Sequence, residues 1–403
     1  MLDLPAPLVP RDAADVLQIL RDSAETARPL EIFGHGTKRG IGHKVAARQM
    51  LDLSSLSGVN FYEPDEIVLS VKAGTPLAEI EALLSAENQE LAFEPMDYGP
   101  LFGHPRGRGT IGGALAANVS GPRRLKSGAA RDHVLGVAAV SGRGEAFKSG
   151  GRVVKNVTGY DLSKGLAASW GTLAVLTDVT FKVLPRAAAS STLAVFGLDD
   201  TAAIAVLCTA MGSAGEISGA AHLPAGAARH IPQISAAGTS ATLLRLEGFQ
   251  PSVLYRAERV ATLIGGEVAR IDEAESVALW RAIRDVEPFA GSNGTVWRIS
   301  VAPDAGPKVI QALKDRLAFR HFYDWSGGLV WLEVSSDLPD AGAELLRDAV
   351  RITGGGHATL IRDGGTDDAV PRFEPQAEAL AALSARLKSG FDPLNILNPG
   401  RMG

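Results

Sequence analysis

Between Thr110 and Leu176 the chain carries glycine and alanine where a core normally carries bulk, and this limits what can pack there. The segment opens with Thr110-Ile111-Gly112-Gly113-Ala114-Leu115-Ala116-Ala117-Asn118-Val119-Ser120-Gly121. It continues through Gly128-Ala129-Ala130-Arg131-Asp132-His133-Val134-Leu135-Gly136 and Val154-Lys155-Asn156-Val157-Thr158-Gly159-Tyr160-Asp161-Leu162. It ends on Gly171-Thr172-Leu173-Ala174-Val175-Leu176. Without a Cβ the main chain can approach another body closely. Two readings stay open: backbone pressed against a large, flat ligand with polar edges, or small-residue elements packed tightly on each other.

The remaining composition narrows the class. A length of 403 residues implies two or three domains of roughly 100–200 residues each. A net charge of −5 argues against a nucleic-acid footprint, which needs a basic surface. The single cysteine, Cys208, excludes an internal disulfide, a self-contained iron–sulfur cluster and a zinc ribbon. It reads as a small hydrophobe on a helix, and no metal site is expected. Met1-Leu2-Asp3-Leu4-Pro5 lacks the features of a signal peptide, and no run approaches the roughly 18 apolar residues of a membrane span. The expectation is a cytoplasmic protein, membrane-associated only through partners.

Read in order, Asp12 is placed to cap a helix ending near Ala27, with Val16, Ile19 and Leu20 on one face. Pro29–Phe33 then forms a strand that runs into Gly34-His35-Gly36-Thr37-Lys38-Arg39-Gly40. A strand entering a glycine loop suits phosphate, because exposed backbone N–H groups can ring an anion. The spacing G-x-G-x-x-x-G, with no amphipathic helix after it, is not the dinucleotide turn. Gly121-Pro122-Arg123-Arg124-Leu125-Lys126-Ser127 lacks the second glycine of a Walker loop.

Asp65–Lys72 alternates as a strand, and Thr75-Pro76 starts a helix, with Pro at its first position and Leu77, Ile80 and Leu84 buried. Pro100–Gly109 is a basic, glycine-rich loop, and strands are expected at Val134–Val140 and Leu173–Val183. After Pro185 the pattern is β-α-β-β-α-β, with strands at Ser191–Phe196, Ile217–Leu223, Ala241–Leu246 and Glu267–Ile271. A linking helix around Val277–Val286 leads to a second pass, its strands at Thr295–Val301, His321–Trp325, Leu329–Val334 and His357–Ile361. The two passes predict paired units, fused into one antiparallel sheet with helices on one face. A helix from Ala377 to Lys388 and an ordered tail, Asn398-Pro399-Gly400-Arg401-Met402, close the chain.

Taken together, the Gly34–Gly40 loop, the Thr110–Asn118 run, Arg131–Gly136, Lys155–Leu162, Gly171-Thr172-Leu173 and the closing Asn398–Met402 occur in a familiar order. The pattern resembles the FAD-linked oxidases of the vanillyl-alcohol-oxidase type, with a PCMH-type FAD-binding domain. More narrowly it is similar to the family of FAD-binding E subunits of bacterial glycolate oxidases. Gly121-Pro122-Arg123-Arg124, Trp297-Arg298-Ile299-Ser300, Asp324-Trp325 with Trp331-Leu332, and Gly355–Thr359 carry that narrower likeness.

The resemblance implies an α+β fold: an FAD-binding domain of two α+β lobes over residues 1–186, a ferredoxin-like cap with an antiparallel sheet over 187–375, and a helix and tail, 376–403, returning to the flavin. It implies that Gly34, His35, Gly36, Thr37 and Lys38 hold the pyrophosphate. Thr110, Ile111, Gly112, Gly113, Ala116 and Asn118 would line the flavin ring and ribityl chain. Gly171, Thr172 and Val175 would meet the adenine end, and Asn398 the pyrimidine side. Gly74, Gly128, Asp132 and Tyr160 complete the implied cofactor set. Some relatives attach FAD through a loop histidine, but aligned glycines put that position at Gly36, so FAD is expected to be non-covalent.

A flavin dehydrogenase of 2-hydroxy acids needs a base for the hydroxyl and a cation for the carboxylate. Catalytic relatives carry a His-containing, metal-binding motif in the cap, whose counterpart here, Gly354–Thr359, has His357 and no acid; Asp363 is expected to pair with Arg362. The first expectation is therefore a subunit of a complex that oxidises glycolate to glyoxylate, beside a catalytic FAD subunit and an iron–sulfur subunit. An autonomous FAD-dependent 2-hydroxy-acid dehydrogenase and an FAD-stabilised scaffold are the alternatives. The cap tryptophans Trp325 and Trp331 are left open between core and contact surface.

Overall fold

The computed structural model describes residues 6–152, 159–365 and 369–403. The run from Val154 to Thr158 therefore lies outside the described residues.

In the first half, α1 (Ala13–Glu25) starts where Asp12 accepts a hydrogen bond from the Asp15 N–H at 2.9 Å. It buries Val16 and Leu20. A parallel pair follows, β1 (Leu30–Phe33) with β2 (Gln49–Asp52). Then come β3 (Val59–Glu63), β4 (Val68–Lys72), α2 (Leu77–Ala86), α3 (Ile111–Ala116), β5 (Val134–Ser141), β6 (Ala146–Gly150) and β7 (Ala174–Lys182). These strands form a five-stranded antiparallel sheet in the order β3-β4-β7-β5-β6.

Two local expectations change. Pro76 is the N-cap of α2, with extended φ −60° and ψ 138°, because it bridges Thr110 before the helix begins. Asp65 to Ile67 make a turn, Ile67 taking a left-handed φ of 52°, so that strand starts at Val68.

The second half continues with β8 (Ala189–Phe196), α4 (Asp200–Met211), β9 (Gly219–Leu223), β10 (Ala241–Gly248), α5 (Gln250–Ile264), β11 (Ala269–Ile271) and α6 (Glu273–Arg284). It repeats as β12 (Thr295–Ser300), α7 (Gly306–Leu313), β13 (Phe319–Asp324), β14 (Leu329–Val334), α8 (Ala343–Ile352) and β15 (His357–Arg362). One eight-stranded sheet results, in the order β11-β8-β10-β9-β13-β14-β12-β15. Each half of that order is a β-α-β-β-α-β unit, and the halves meet through one bridge, His222 to Tyr323.

Strand alternation divides this sheet between two cores. Leu193, Leu244, Trp297, Ile299, Tyr323 and Val330 pack with α4, α5, α7 and α8. Leu243, Val296, Phe322 and Trp331 lie in a core shared with Phe93, Tyr98, Leu101 and Ile111 of the first half. Both Trp325 and Trp331 are buried, and the Trp325 indole N–H donates to the Gly121 carbonyl at 3.0 Å. The cap tryptophans are thus interior. Cys208 lies on α4, its thiol 3.7 Å from the Ser326 carbonyl.

The last helix, α9 (Glu378–Phe391), leads to a tail that threads back into the first half. Leu397 forms a parallel bridge with Leu30, and Ile396 and Leu397 are fully buried beside α1. No described helix is long and apolar enough to cross a membrane.

Candidate cofactor-binding site

The tail's return closes a crevice with about 830 Å³ of empty space, its open mouth included. Most of its wall comes from four chain segments: Ile32–Arg39 at the end of β1 and after it, α3 with Ala117, Ser169–Leu176 leading into β7, and the tail at Asn398 and Arg401; Leu53 and Ala73 complete it. Among the described residues no helix follows the Gly34–Gly40 loop; its backbone turns back on itself, with Arg39 N–H bonded to the Gly36 carbonyl at 3.1 Å.

Glycine is needed at particular points here. Gly36 has φ 76° and Gly171 φ 69°, both left-handed. A Cβ on Gly34 would stand 2.8 Å from the Thr110 hydroxyl oxygen. Thr110 caps α3, accepting from the Gly113 N–H at 3.3 Å, and the Gly112 N–H donates to the Ala73 carbonyl at 2.8 Å. This draws the start of α3 against the end of β4 and opposite the loop.

The tail fixes the walls. Asn398, 2% exposed, accepts from the Ile32 N–H at 2.7 Å and donates to the Trp170 carbonyl at 2.9 Å. The Arg401 guanidinium donates to the carbonyls of Arg39 and Ile41, both at 2.8 Å. Arg39 is in turn held by a two-point pair with Glu31. Asn398→Ala removes an amide that satisfies main chain from two walls. It should lower stability by about 1–3 kcal/mol and weaken cofactor retention, as calorimetry and a flavin titration would show. Unchanged values in both would refute this role.

The sequence-derived set divides in the structure. Gly34, His35, Gly36, Thr37, Lys38, Thr110, Gly112, Gly113, Ala116, Gly171, Val175 and Asn398 all line the crevice. The other seven lie outside its walls, each for a local reason. Ile111 is core, 1% exposed. Gly74 lies beneath the wall, its N–H bonded to the Leu56 carbonyl at 2.8 Å. The Thr172 hydroxyl turns inward to the Ser169 carbonyl at 2.7 Å. Asn118 accepts from the Arg131 N–H at 3.0 Å. Asp132 caps the Ala129 N–H at 2.8 Å, filling the space where a Gly128 side chain would stand. Tyr160 is 92% exposed.

Residues that the sequence reading omitted include Phe33, Leu53, Ala73, Ser169, Trp170 and Arg401. Adjacency to Gly34, Gly171 and Asn398 was the available signal for Phe33, Trp170 and Arg401. Leu53 and Ala73 look like any core residue.

Two polar features of the walls fit an anionic, aromatic guest. The His35 Nδ1 is buried with no hydrogen-bond partner. Burial pulls the Lys38 ammonium down to about 8, with nearby Asp97 opposing the shift. Its Nζ is 5.9 Å from the centroid of the Tyr98 ring. The remaining walls, from Leu53, Ala73, Ala116, Ala174 and Val175, are apolar. The described residues contain no group of three or more His, Cys, Asp or Glu that could hold a metal.

His357 is exposed at the start of β15 and does not line the crevice. Asp363 pairs with Arg372 at 2.8 Å, not with Arg362, because neighbouring residues on an extended chain face opposite ways. Arg362 instead donates to Glu333 at 2.8 Å and to the carbonyls of Gly294, Leu101 and Phe289.

Residues 5–150 match the family described as "FAD binding domain". Glycolate oxidase subunit GlcE of Escherichia coli (strain K12) is 34% identical over 391 residues, covering 96% of each chain. Glycolate oxidase subunit GlcD of Bacillus subtilis (strain 168) is 25% identical over 446 residues, covering 98% of this chain and 88% of that one. Among solved structures, p-cresol methylhydroxylase with substrate bound superposes with a TM-score of 0.73 at 15% identity, covering 98% of this chain and 88% of that one, a likeness of fold.

Proposed function

Because the chain belongs to the family of FAD-linked oxidoreductases that includes glycolate oxidase subunit GlcE, and binds FAD, we propose that it is the FAD-binding subunit of a complex that oxidises glycolate to glyoxylate. The observation carrying this reading is the crevice, in which the Gly34–Lys38 loop, α3, Gly171 and Asn398 converge. When bound, FAD supplies an acceptor for the two electrons of a CH–OH carbon. The loop's backbone N–H groups and Lys38 would hold the anionic pyrophosphate, and the small residues of α3 would admit the ring system. FAD is held without a covalent bond: His35 is one residue from the position that attachment uses, which is Gly36 here.

We place the FAD-binding domain at 1–186, the cap at 187–375 and the returning tail at 376–403. Among the described residues, and apart from His35, the crevice walls carry neither a histidine nor a carboxylate. That supports dependence on a partner for the base, and the single cysteine supports electron exit through a separate iron–sulfur chain. Membrane association would come through those partners. The test is anaerobic glycolate addition, followed by flavin absorbance. We expect the isolated chain to stay oxidised and to bleach once the partner chains are restored. Bleaching of the isolated chain favours the autonomous dehydrogenase, and no bleaching in either sample favours the scaffold.

A further inference from the structure

Helix α9 buries nothing. Among the described residues, every other helix of eight or more residues sets at least three side chains into the interior. None of the 14 residues of α9 is buried. Yet it carries a leucine stripe, with Leu380, Leu383 and Leu387 51%, 53% and 46% exposed. A stripe of this kind on a helix normally faces a core. The spacing i, i+3, i+7 is that of a helix–helix seam. Ala379 and Ser384, on either side of it, are small enough for another backbone to approach.

The helix is anchored at its last turns. Lys388 Nζ donates to the Thr172 carbonyl at 2.7 Å and to the Leu397 carbonyl at 3.1 Å. Phe391 packs on Phe147 of β6, their ring centroids 5.9 Å apart. At the other end the N-cap, Ala377, supplies no side-chain hydrogen bond. The stripe thus stands out from the body next to Thr172, the residue after Gly171 of the crevice wall.

Charge decides what can cover it. At about 3.6 residues per turn, Arg386 borders one edge of the stripe and Lys388 the other. Glu378, the only acid of the helix, falls on the far side. Arg386 is exposed and has no ion pair among the described residues. A second copy set stripe to stripe would bring like cations to the seam. An anionic membrane would suit the cations, but Arg386 and Lys388 alone, on a chain of net charge −5, give little hold on one. An apolar groove with an acidic rim, on another protein, meets both the leucines and the cations.

We propose that α9 is the docking element for a partner protein chain, its leucine stripe entering an apolar groove whose acidic rim faces Arg386. That this partner is a subunit of the glycolate-oxidising complex rests on the functional reading above; the docking surface itself rests on the uncovered stripe and its cationic edges.

The FAD-loaded chain is mixed with the purified catalytic FAD subunit and iron–sulfur subunit, and assembly is followed by size-exclusion chromatography with light scattering. We expect the wild type to be a monomer alone and to enter the complex, with L383E bound at least about thirtyfold more weakly. R386E should lose at least about tenfold and R386K much less, while A382E, on the opposite face, assembles as wild type. Alone, L383E should match the wild type in FAD content and thermal midpoint. L383E or R386E that assembles normally, or L383E that melts early because its own chain covers the stripe, overturns the docking surface and leaves the subunit reading standing. So does self-association, or flotation with phosphatidylserine vesicles, that L383E abolishes. A wild-type chain that binds FAD yet joins neither partner removes the subunit reading, and the docking partner with it.

Discussion

Glu94→Leu is expected to lower the stability of the folded chain by about 3–5 kcal/mol, because it strands buried charge. The Glu94 carboxylate accepts from Arg245 Nη1 and Nη2 at 2.8 and 2.9 Å and from the Arg123 N–H at 2.8 Å. Arg123 is held in turn by Glu247, at 2.9 and 2.6 Å, and by Glu90 at 2.8 Å. Glu90, Glu94 and Arg123 come from the first half and Arg245 and Glu247 from β10, so the network staples the cap to the cofactor half. Burial pushes the Glu94 carboxyl up, but Arg245 and Arg123 outweigh it and hold it below the ordinary range. Arg245 is 3% exposed and cannot turn to water when its partner is removed. Denaturant unfolding checks the value. A loss under about 1 kcal/mol, the level of a surface ion pair, would contradict a buried staple.

Gly74→Ala should lower stability by about 3 kcal/mol or more, at the upper end of overpacking effects. An added Cβ would lie 2.1 Å from the Leu53 carbonyl oxygen and 2.8 Å from that of Leu56. Both are main-chain atoms, so no flexible side-chain end can yield. The damage should reach the crevice, since Ala73 and Leu53 line it. Gly226→Ala is the control: nothing lies within 4 Å of its Cβ, and a helical Gly→Ala change favours folding by roughly 0.5–1 kcal/mol. Equal effects of the two substitutions would refute the close approach at Gly74.

A third expectation concerns pH. The native state raises the Asp324 carboxyl to about 7, above its range in an unfolded chain, chiefly through burial. The folded protein therefore binds that proton more tightly, and stability falls as pH rises from about 4 to about 7. Asp324→Asn removes this slope, so its stability relative to wild type should rise between about pH 4 and about pH 7. A pH-independent difference would contradict the assignment.

The positions the sequence located well are those where one residue type answers one local demand. Asp12 caps α1, and the two β-α-β-β-α-β passes emerge as the eight-stranded sheet, because alternation and helical period are local signals. Gly34, Gly112, Gly171 and Asn398, which the motif order singles out, line one crevice. What could not be read was where side chains spend their hydrogen bonds. Asp132 and Asn118 sit among the motifs yet cap nearby backbone, and Tyr160 points to solvent. The partner of Arg362 lies on another strand, at Glu333, a pairing set by tertiary register that sequence adjacency to Asp363 concealed.

The most direct test of the whole account is an FAD titration of the flavin-free wild-type chain and of Gly34→Val, followed by fluorescence quenching and a count of flavin per chain. The wild type should take up one FAD, released on denaturation. Gly34→Val, whose Cβ would stand 2.8 Å from the Thr110 hydroxyl oxygen and push the loop away from the start of α3, should keep its secondary structure by circular dichroism and bind at least about a hundredfold more weakly, the consequence of roughly 3 kcal/mol of displaced wall. Tight stoichiometric FAD binding by that variant would place the cofactor elsewhere and contradict the crevice.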